Sequence, residues 1–553
     1  MEIVFRQFVR LGFLFGLLVV LCILPFSKYV LSIGQFILTG AWILERIDLD
    51  KLQSFYRLQT RIRLIFLLFP YLIYLMFLGI YRGFQEFFRN KPALIFSSII
   101  LLHIVGLIYT VDFDYAVKDL RTKLPLLLLP LFLSTSGAIG KKGFYFFMLA
   151  FFIAVLVGTV LHTWKIVYHE YVDIRDVAKH VSHIIFGLLI TLSVFSLGYF
   201  ILKKKLFPMW VKGLLTLVFL WFISYLIISQ SITGLAIALL VLLILIPILI
   251  FRTKNRWLKV GLVIVIIGVT GGVILYLRHV VNDYYTVLPV DYSKLEAFTS
   301  HGNPYNHNFH VKQTENGHFL WLYVNDDEMR GSWNGRSKIP FDSLDLKGQP
   351  LKFTLVRFLT SKGWRKDADA VDKLTQREIG AVEKGVANYI FMKEFSIRGR
   401  IYEFLWGYEN YRLTGNPTGS TLMQRIEFWK ASLALIKENW LYGVGTGDMN
   451  QVFQNQYTIM KSKLAPEQRW RSHNQFMSVF IGFGIFGLAW FLFAIFYPPW
   501  KLKRYDDYFF LVFLIIALLS MLTEDTIESQ TGVTFFALFY SFFLFARKSK
   551  EVI

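Results

Sequence analysis

The sequence predicts a polytopic α-helical membrane protein of about 12 transmembrane helices, with a large α+β and helical loop between spans 9 and 10. Three observations carry this. The 553 residues are 55% hydrophobic and their mean hydropathy is +0.49. Apolar runs of roughly 18 residues or more recur, each long enough to cross a bilayer core as a helix. The net charge of +21 sits mostly in short connections between those runs. There it reads as a topology signal rather than a nucleic-acid footprint.

The first element, "MEIVFRQFVRLGFLFGLLVVLCILPF", has a basic start but no small-residue cleavage site, so it is expected to remain as a span. Its Cys22 is the only cysteine, which excludes an intrachain disulfide and a cysteine metal cluster. Spans are expected at 11–24, 29–44, 93–110, 124–139, 144–163, 181–201, 210–228, 232–251, 260–278, 474–497, 508–523 and 532–546. With the N-terminus inside, the cytoplasmic connections and termini hold Arg6, Arg10, Arg46 through Lys91, Lys141, Lys142, Lys203, Lys204, Lys205, Arg252 through Lys259, Lys501 through Arg504, and Arg547, Lys548 and Lys550. The outer connection 524–531 is acidic through Glu524, Asp525 and Glu528. This positive-inside pattern places 279–473 outside. The expected organisation is therefore a membrane domain 1–278, an outer segment 279–473 and a membrane domain 474–553. The run 64–79, "LIFLLFPYLIYLMFLG", is short, interrupted by Pro70 and flanked by basic residues. It is expected as an interfacial or re-entrant element.

Within the outer segment, 284–395 reads as a soluble α+β insert. "HFLWLYV" and "LKFTLVRFL" are strand candidates, "GNPYN", "NGRS" and "LKGQP" are turns, and 366–395 looks helical. Residues 421–440 form an amphipathic helix whose Arg425, Trp429, Leu433, Ile436 and Trp440 share one face. An arginine heading an apolar stripe either snorkels or pairs with Glu427 or another acid, or turns inward to hold an anionic oxygen. His473, at the lip of the tenth span, is either an interfacial anchor or a general base, because imidazole titrates near neutrality. Its neighbour Asn474 could orient it or bind substrate, and Arg469 and Arg471 are phosphate contacts or surface charge. In the outer loop 111–123, Lys118, Arg121 and Lys123 stand against the usual charge bias; they mark an anionic headgroup site or pair with Asp112, Asp114 and Asp119. Ser182 and His183 open another span from outside, and His183 joins the substrate-binding candidates. "GVGTGD", 443–448, follows a helix rather than a strand, so a tight turn is expected instead of a nucleotide loop.

Taken together, "QRIEFWKASLALIKENWLYGVGTGDM" followed by "SHNQF" and "GFGIFGL" resembles the O-antigen ligase/polymerase superfamily. "YTVDFDYAVKDLRTKLPLLLLPLF", "TEDTIESQTGV", "GNPYNH", "ENGHFLWLYV", "GSWNGRS" and "LVRFLTSKGWRKDA" resemble its Bacteroidetes-type members. The resemblance covers nearly the whole chain through short motifs whose order carries the specificity. It implies a GT-C-like glycosyltransferase of the bacterial inner membrane, with its site on the periplasmic face. The donor would be a glycan on undecaprenyl pyrophosphate, used without cofactor or metal. The acceptor would be a hydroxyl on lipid A–core in a ligase, or on a repeat unit in a polymerase. A protein O-oligosaccharyltransferase has the same chemistry. Arg425 matches the family's helix arginine and His473 its loop histidine, as catalytic residues. Two departures stand out: the outer turn "SQSITG" lacks a frequent arginine, and Trp440 replaces a common proline. The second pyrophosphate contact then falls to Lys118, Arg121, Lys123 or Arg278. A lipid-linked-glycan flippase is the rival from another class; it predicts repeated, broken spans with polar midplanes, which the sequence lacks. A scaffold or receptor would use 284–395 as a binding module but leaves Arg425 and His473 unexplained.

Overall fold

The computed structural model describes residues 2–58, 61–168, 182–203, 206–229, 231–392 and 396–547. The basic anchors Lys204, Lys205, Lys548 and Lys550, residue 181 of the sixth expected span, Gln230 of the "SQSITG" turn and residues 393–395 lie outside the described residues. The chain folds as two compact units. One holds Met1–Leu226, Ser231–Leu245 and Gln424–Ile553; the other holds Ile227–Gln230 and Ile246–Met423. The sequence divides the chain by compartment, whereas these units divide it by packing.

The protein is a polytopic helical membrane protein, but the count of 12 is not reached on length alone. Among the described residues, 8 helices are long and apolar enough to cross a membrane. The number is 10 if two bent pairs each count as one span: Lys28–Glu45 with Leu49–Arg57, and Lys91–Ser97 with Ile99–Tyr109. Three expected spans are short helices: Pro125–Thr135, Tyr508–Thr523 and Gln530–Leu544. Burial explains how they stay short. Every residue of Gln530–Leu544 after the first is buried, with Phe96 stacked on Tyr540 at 3.8 Å between ring centres. A helix enclosed by protein does not have to match the lipid thickness itself. Pro125–Thr135 runs beside it between the same two ends. Lys123 meets Glu528 at 2.9 Å at one end, and Ile139 N donates to Ala546 O at 2.7 Å at the other.

The run 64–79 belongs to one continuous helix, Arg61–Arg89, which passes through Pro70. Its Phe66–Arg89 part has the length and hydropathy of a span. It also folds back antiparallel on Leu49–Leu58: Phe55 stacks on Tyr71, Arg82 pairs with Asp48 at 3.3 Å, and Arg46 with Glu86 at 3.5 Å. The two ends of this hairpin, at Arg46 and Glu86, therefore meet.

The helix Gln475–Lys501 is broken at Gly484, whose φ of 65° and ψ of −167° are non-helical. A break inside an apolar helix frees backbone groups that lipid cannot bond. The turn 443–445 supplies their partners. Val444 N donates to Ile481 O and Gly445 N to Gly482 O, both at 2.9 Å, and Ile485 N donates to Trp440 O at 2.9 Å. A Cβ on Gly484 would lie 2.1 Å from Leu441 O. The "GVGTGD" stretch is thus a tight turn, and also the clasp on a broken helix.

The second unit corrects the expected α+β insert. Its only regular sheet among the described residues is the two-stranded pair Thr314–Glu315 and His318–Phe319. "LKFTLVRFL" is not a strand but the helix Leu351–Ser361. It is buried on nearly all sides, so its residues show no single apolar face and its period cannot be read. Of the expected helix 366–395, the described residues 366–392 break into the short helices Ala368–Asp372, Gln376–Glu383 and Tyr389–Met392. The core gathers Leu320, Trp333, Leu355, Phe358 and Ile379, with a buried Glu315 accepting from Arg357 Nε and Asn388 Nδ2, both at 2.6 Å.

Gly484→Ala should lower stability by about 2 kcal/mol or more, because it adds both a left-handed φ penalty and a steric clash. Gly268→Ala, on the exposed helix Arg256–Tyr285 with nothing within 4 Å, should leave stability unchanged or slightly raised. Thermal unfolding of the two purified variants in detergent is the comparison.

Candidate active site

Arg425 stands in the second turn of the helix Thr421–Glu438. The helix buries Phe428, Ala431 and Leu435, not the stripe read from sequence; Leu433 is 52% exposed and Trp440 55%. Arg425 therefore lies off the core face, half-buried, and its Nη2 donates to Glu524 Oε1. Glu427 is not its partner: that carboxylate is buried and accepts from Lys430 at 3.0 Å and Ser462 Oγ at 2.9 Å.

His473 comes from the loop that leads into Gln475–Lys501. Its φ of 46° is in the left-handed region, uncommon for a residue with a side chain. Asp525 holds it there, accepting from His473 N at 3.1 Å, Ser472 Oγ at 3.1 Å and Ser478 Oγ at 2.7 Å. Asn474 caps the following helix through Phe476 N and Met477 N, both at 3.1 Å, and donates to Leu522 O at 3.0 Å. The His473 ring stacks on Phe428, 5.4 Å between centres. Its Nδ1 lies 3.1 Å from Glu524 Oε2. An ionised carboxylate only accepts, so the network assigns the proton to Nδ1 and leaves Nε2 as the free nitrogen. Burial by itself would lower the pKa of His473; the Glu524 hydrogen bond and the charges of Glu524 and Asp525 outweigh it and raise the pKa above its ordinary value. Burial pushes the carboxyl of Asp525 up as well. One carboxylate, Glu524, thus bridges the helix arginine and the loop histidine.

A second cluster lies on the same connection. Buried Lys123 pairs with Asp119 at 2.5 Å and Glu528 at 2.9 Å. Arg471 meets the same Glu528 oxygen at 3.1 Å, donates to Asn450 Oδ1 at 2.8 Å and to the Tyr115 hydroxyl, and lies over the Tyr115 ring. Burial would raise the Glu528 carboxyl, but Lys123 and Arg471 hold it well below the usual carboxylate range. Lys118 and Arg121, on the same helix Phe113–Lys123, are exposed and make no side-chain bond among the described residues. Arg469 donates to Leu464 O at 3.3 Å and Thr458 Oγ1 at 3.2 Å. His183 opens the helix His183–Leu202, and Arg278 is exposed on Arg256–Tyr285 in the other unit. The structure thus joins Arg425 to His473 through Glu524, and Arg471 to Lys123 through Glu528. No group of three or more His, Cys, Asp or Glu side chains among the described residues has the arrangement of a metal site.

Residues 386–492 match the family model described as O-antigen ligase. That segment is similar to the O-antigen ligase family. Arg425 and His473 both fall inside the matched O-antigen ligase-like segment, and this supports the O-antigen ligase/polymerase superfamily that the residues resemble. No curated protein matches the chain. The residues that sequence reading passed over are Glu524, Asp525 and Glu528, read there only as a topological mark. Their signal was present: three carboxylates in five residues between two apolar helices must find cations.

Because its pKa is raised, the imidazolium of His473 adds stability that is complete below the ordinary histidine pKa and is lost as pH rises through the folded one. Glu524→Gln keeps the size but removes the charge. It should move the His473 titration to lower pH, read by NMR of histidine-labelled protein. An unmoved titration would show that Glu524 does not set it.

Proposed function

We propose that the protein transfers a glycan from undecaprenyl pyrophosphate to an acceptor hydroxyl, at the periplasmic face of a bacterial inner membrane, with lipid A–core as acceptor. The similarity of residues 386–492 to the O-antigen ligase family supports the chemical class. The observation that carries the reading is the Arg425–Glu524–His473 arrangement. His473 Nε2 takes the proton of the acceptor hydroxyl as its oxygen attacks the anomeric carbon. The bond from that carbon to the pyrophosphate oxygen breaks, and the electron pair leaves with the lipid pyrophosphate. Glu524 holds the Nδ1 proton and stabilises the imidazolium that forms, the role a carboxylate plays behind a catalytic histidine. Arg425 engages Glu524 through Nη2, which leaves the rest of its planar fork for a phosphoryl oxygen. Lys118 and Arg121 supply further positive charge for the leaving group.

A repeat-unit polymerase uses the same groups; the acceptor alone separates the two. A strain lacking the protein should accumulate lipid-linked polymer with none attached to lipid A–core. Single repeat units on the core would make it a polymerase.

His473→Ala should lose ~10²–10⁴-fold in turnover while donor binding survives. Arg425→Ala should weaken donor binding and turnover together, and Arg425→Lys should not fully restore them, because a point charge cannot reproduce the fork. EDTA should change nothing. Transfer with purified protein and lipid-linked donor, beside a separate donor-binding measurement, reads all of these; native turnover in His473→Ala would refute the base.

The positive-inside pattern further requires reporter fusions after residue 350 to report the outer compartment and fusions after 256 and 503 the cytoplasm. A cytoplasmic signal at 350 would remove the periplasmic placement.

A further inference from the structure

Aromatic residues gather on the surface of the second unit, far along the chain from the residues of the proposed chemistry. In "YNHNF", 305–309, the rings of Tyr305, His307 and Phe309 follow one another in contact, Tyr305 lying 6.1 Å from His307 between centres. Tyr305 is buried beneath and Phe309 is exposed. His307 stacks on Phe309 with the planes 18° apart and the centres 6.1 Å apart. Tyr292 meets Phe309 edge-on at 5.7 Å, and Tyr323 meets His307 edge-on at 5.0 Å. Tyr292 is 56% exposed and Phe309 50%. Soluble surfaces rarely collect large rings in contact without a use for them.

The platform is held firmly. His307 accepts the Tyr323 N–H on Nδ1 at 3.2 Å and donates from Nε2 to Glu296 O at 3.0 Å. Both ring nitrogens are used, which fixes the orientation of the ring. Tyr323 has a φ of 56°, where a bulky residue is an outlier, and such strain gathers at ligand clamps. Beside the rings, Arg365 lies over Tyr323 and pairs with Glu296. Lys294 pairs with Asp291 at 3.4 Å. Arg365 and Lys294 are thus each paired with an anion. A phosphate or an anionic membrane surface would call for unmatched cations. A neutral ligand with an apolar face and a polar edge suits rings flanked by paired charges.

We propose that this aromatic face is a glycan-binding platform. A pyranose ring lies on Phe309 and Tyr292 with its C–H face, while its hydroxyls reach Glu296, Arg365 and the Tyr323 hydroxyl. Rigid aromatic side chains give large contact area at low entropic cost, and their electron-rich faces favour the partly positive C–H bonds. That the ligand is a sugar polymer of the cell surface rests on the transfer reading above; the built face does not.

The test uses full-length protein in lipid nanodiscs. It is titrated with oligosaccharides released by mild acid from the surface polysaccharide of the cell that makes it, and binding is followed by calorimetry and saturation-transfer NMR. Wild type should bind saturably, with the strongest transfer to ring protons. Phe309→Ala and Tyr292→Ala, both at exposed positions, should each weaken binding by roughly tenfold. His473→Ala should bind as wild type. Platform binding without any transfer by wild type would sink the transfer reading and keep this one. Normal transfer with no saturable oligosaccharide binding, or with unchanged affinity in Phe309→Ala, would sink the platform. Reduced association of Phe309→Ala with protein-free vesicles, at unchanged oligosaccharide affinity, would make the face a membrane anchor and overturn the proposal.

Discussion

Three carboxylates in one short connection, Glu524, Asp525 and Glu528, hold the end of the first unit together. Charges at the mouth of an apolar bundle are costly unless each finds a partner and its remaining lone pairs are bonded. Here the partners come from segments far apart in the chain: Lys123 from one connection, Arg425 from a helix hundreds of residues later, Arg471 and His473 from the loop before a broken span. Removing Glu524 takes the shared carboxylate from Arg425 and His473, and removing Glu528 takes one from Lys123 and Arg471. The same pairing that satisfies the charges sets the spacing between the guanidinium of Arg425 and the imidazole of His473, so electrostatic necessity and chemical geometry coincide at Glu524.

The left-handed backbone at His473 follows from this arrangement. Ser472, His473 and Ser478 all turn toward Asp525, and the loop accepts an unfavourable φ so that the imidazole can face Glu524. Strain of this kind persists only where surrounding bonds over-determine it. A few turns deeper, the break at Gly484 is tolerated for the parallel reason: the freed backbone groups are bonded by the turn 443–445 and by Trp440. Asp448 then ties the end of that turn to Val111 N and Asp112 N, at 2.8–3.1 Å. The glycine-rich stretch that tempts a nucleotide reading serves instead to dock one connection onto a broken helix and another connection.

Where sequence reading went astray, burial is the common cause. The helix Leu351–Ser361 looked like a strand because a segment enclosed on all sides loses its amphipathic period. The stripe of Arg425, Trp429, Leu433, Ile436 and Trp440 does not set the packing of its helix: Leu433 and Trp440 are exposed, Ile436 is half-buried, and the core takes Phe428, Ala431 and Leu435, because hydrophobicity alone does not tell which apolar residues face protein. The short helices Pro125–Thr135 and Gln530–Leu544 read as spans because hydropathy does not tell a helix enclosed by protein from one that faces lipid.

The sequence by itself determined the class of the protein, the position of most of its apolar helices, and Arg425 and His473 as residues of interest. Hydropathy, charge bias and motif order are local properties, written in consecutive residues, and they survive without coordinates. Only the tertiary structure decided which acid meets which base. Arg425 had Glu427 two residues away and took Glu524, and Lys123 had Asp119 four residues away and took Glu528 as well. Ion pairs depend on distances between segments that the chain order does not encode, and a carboxylate that looks like a topological mark becomes the bridge of a site only when folding brings its partners to it.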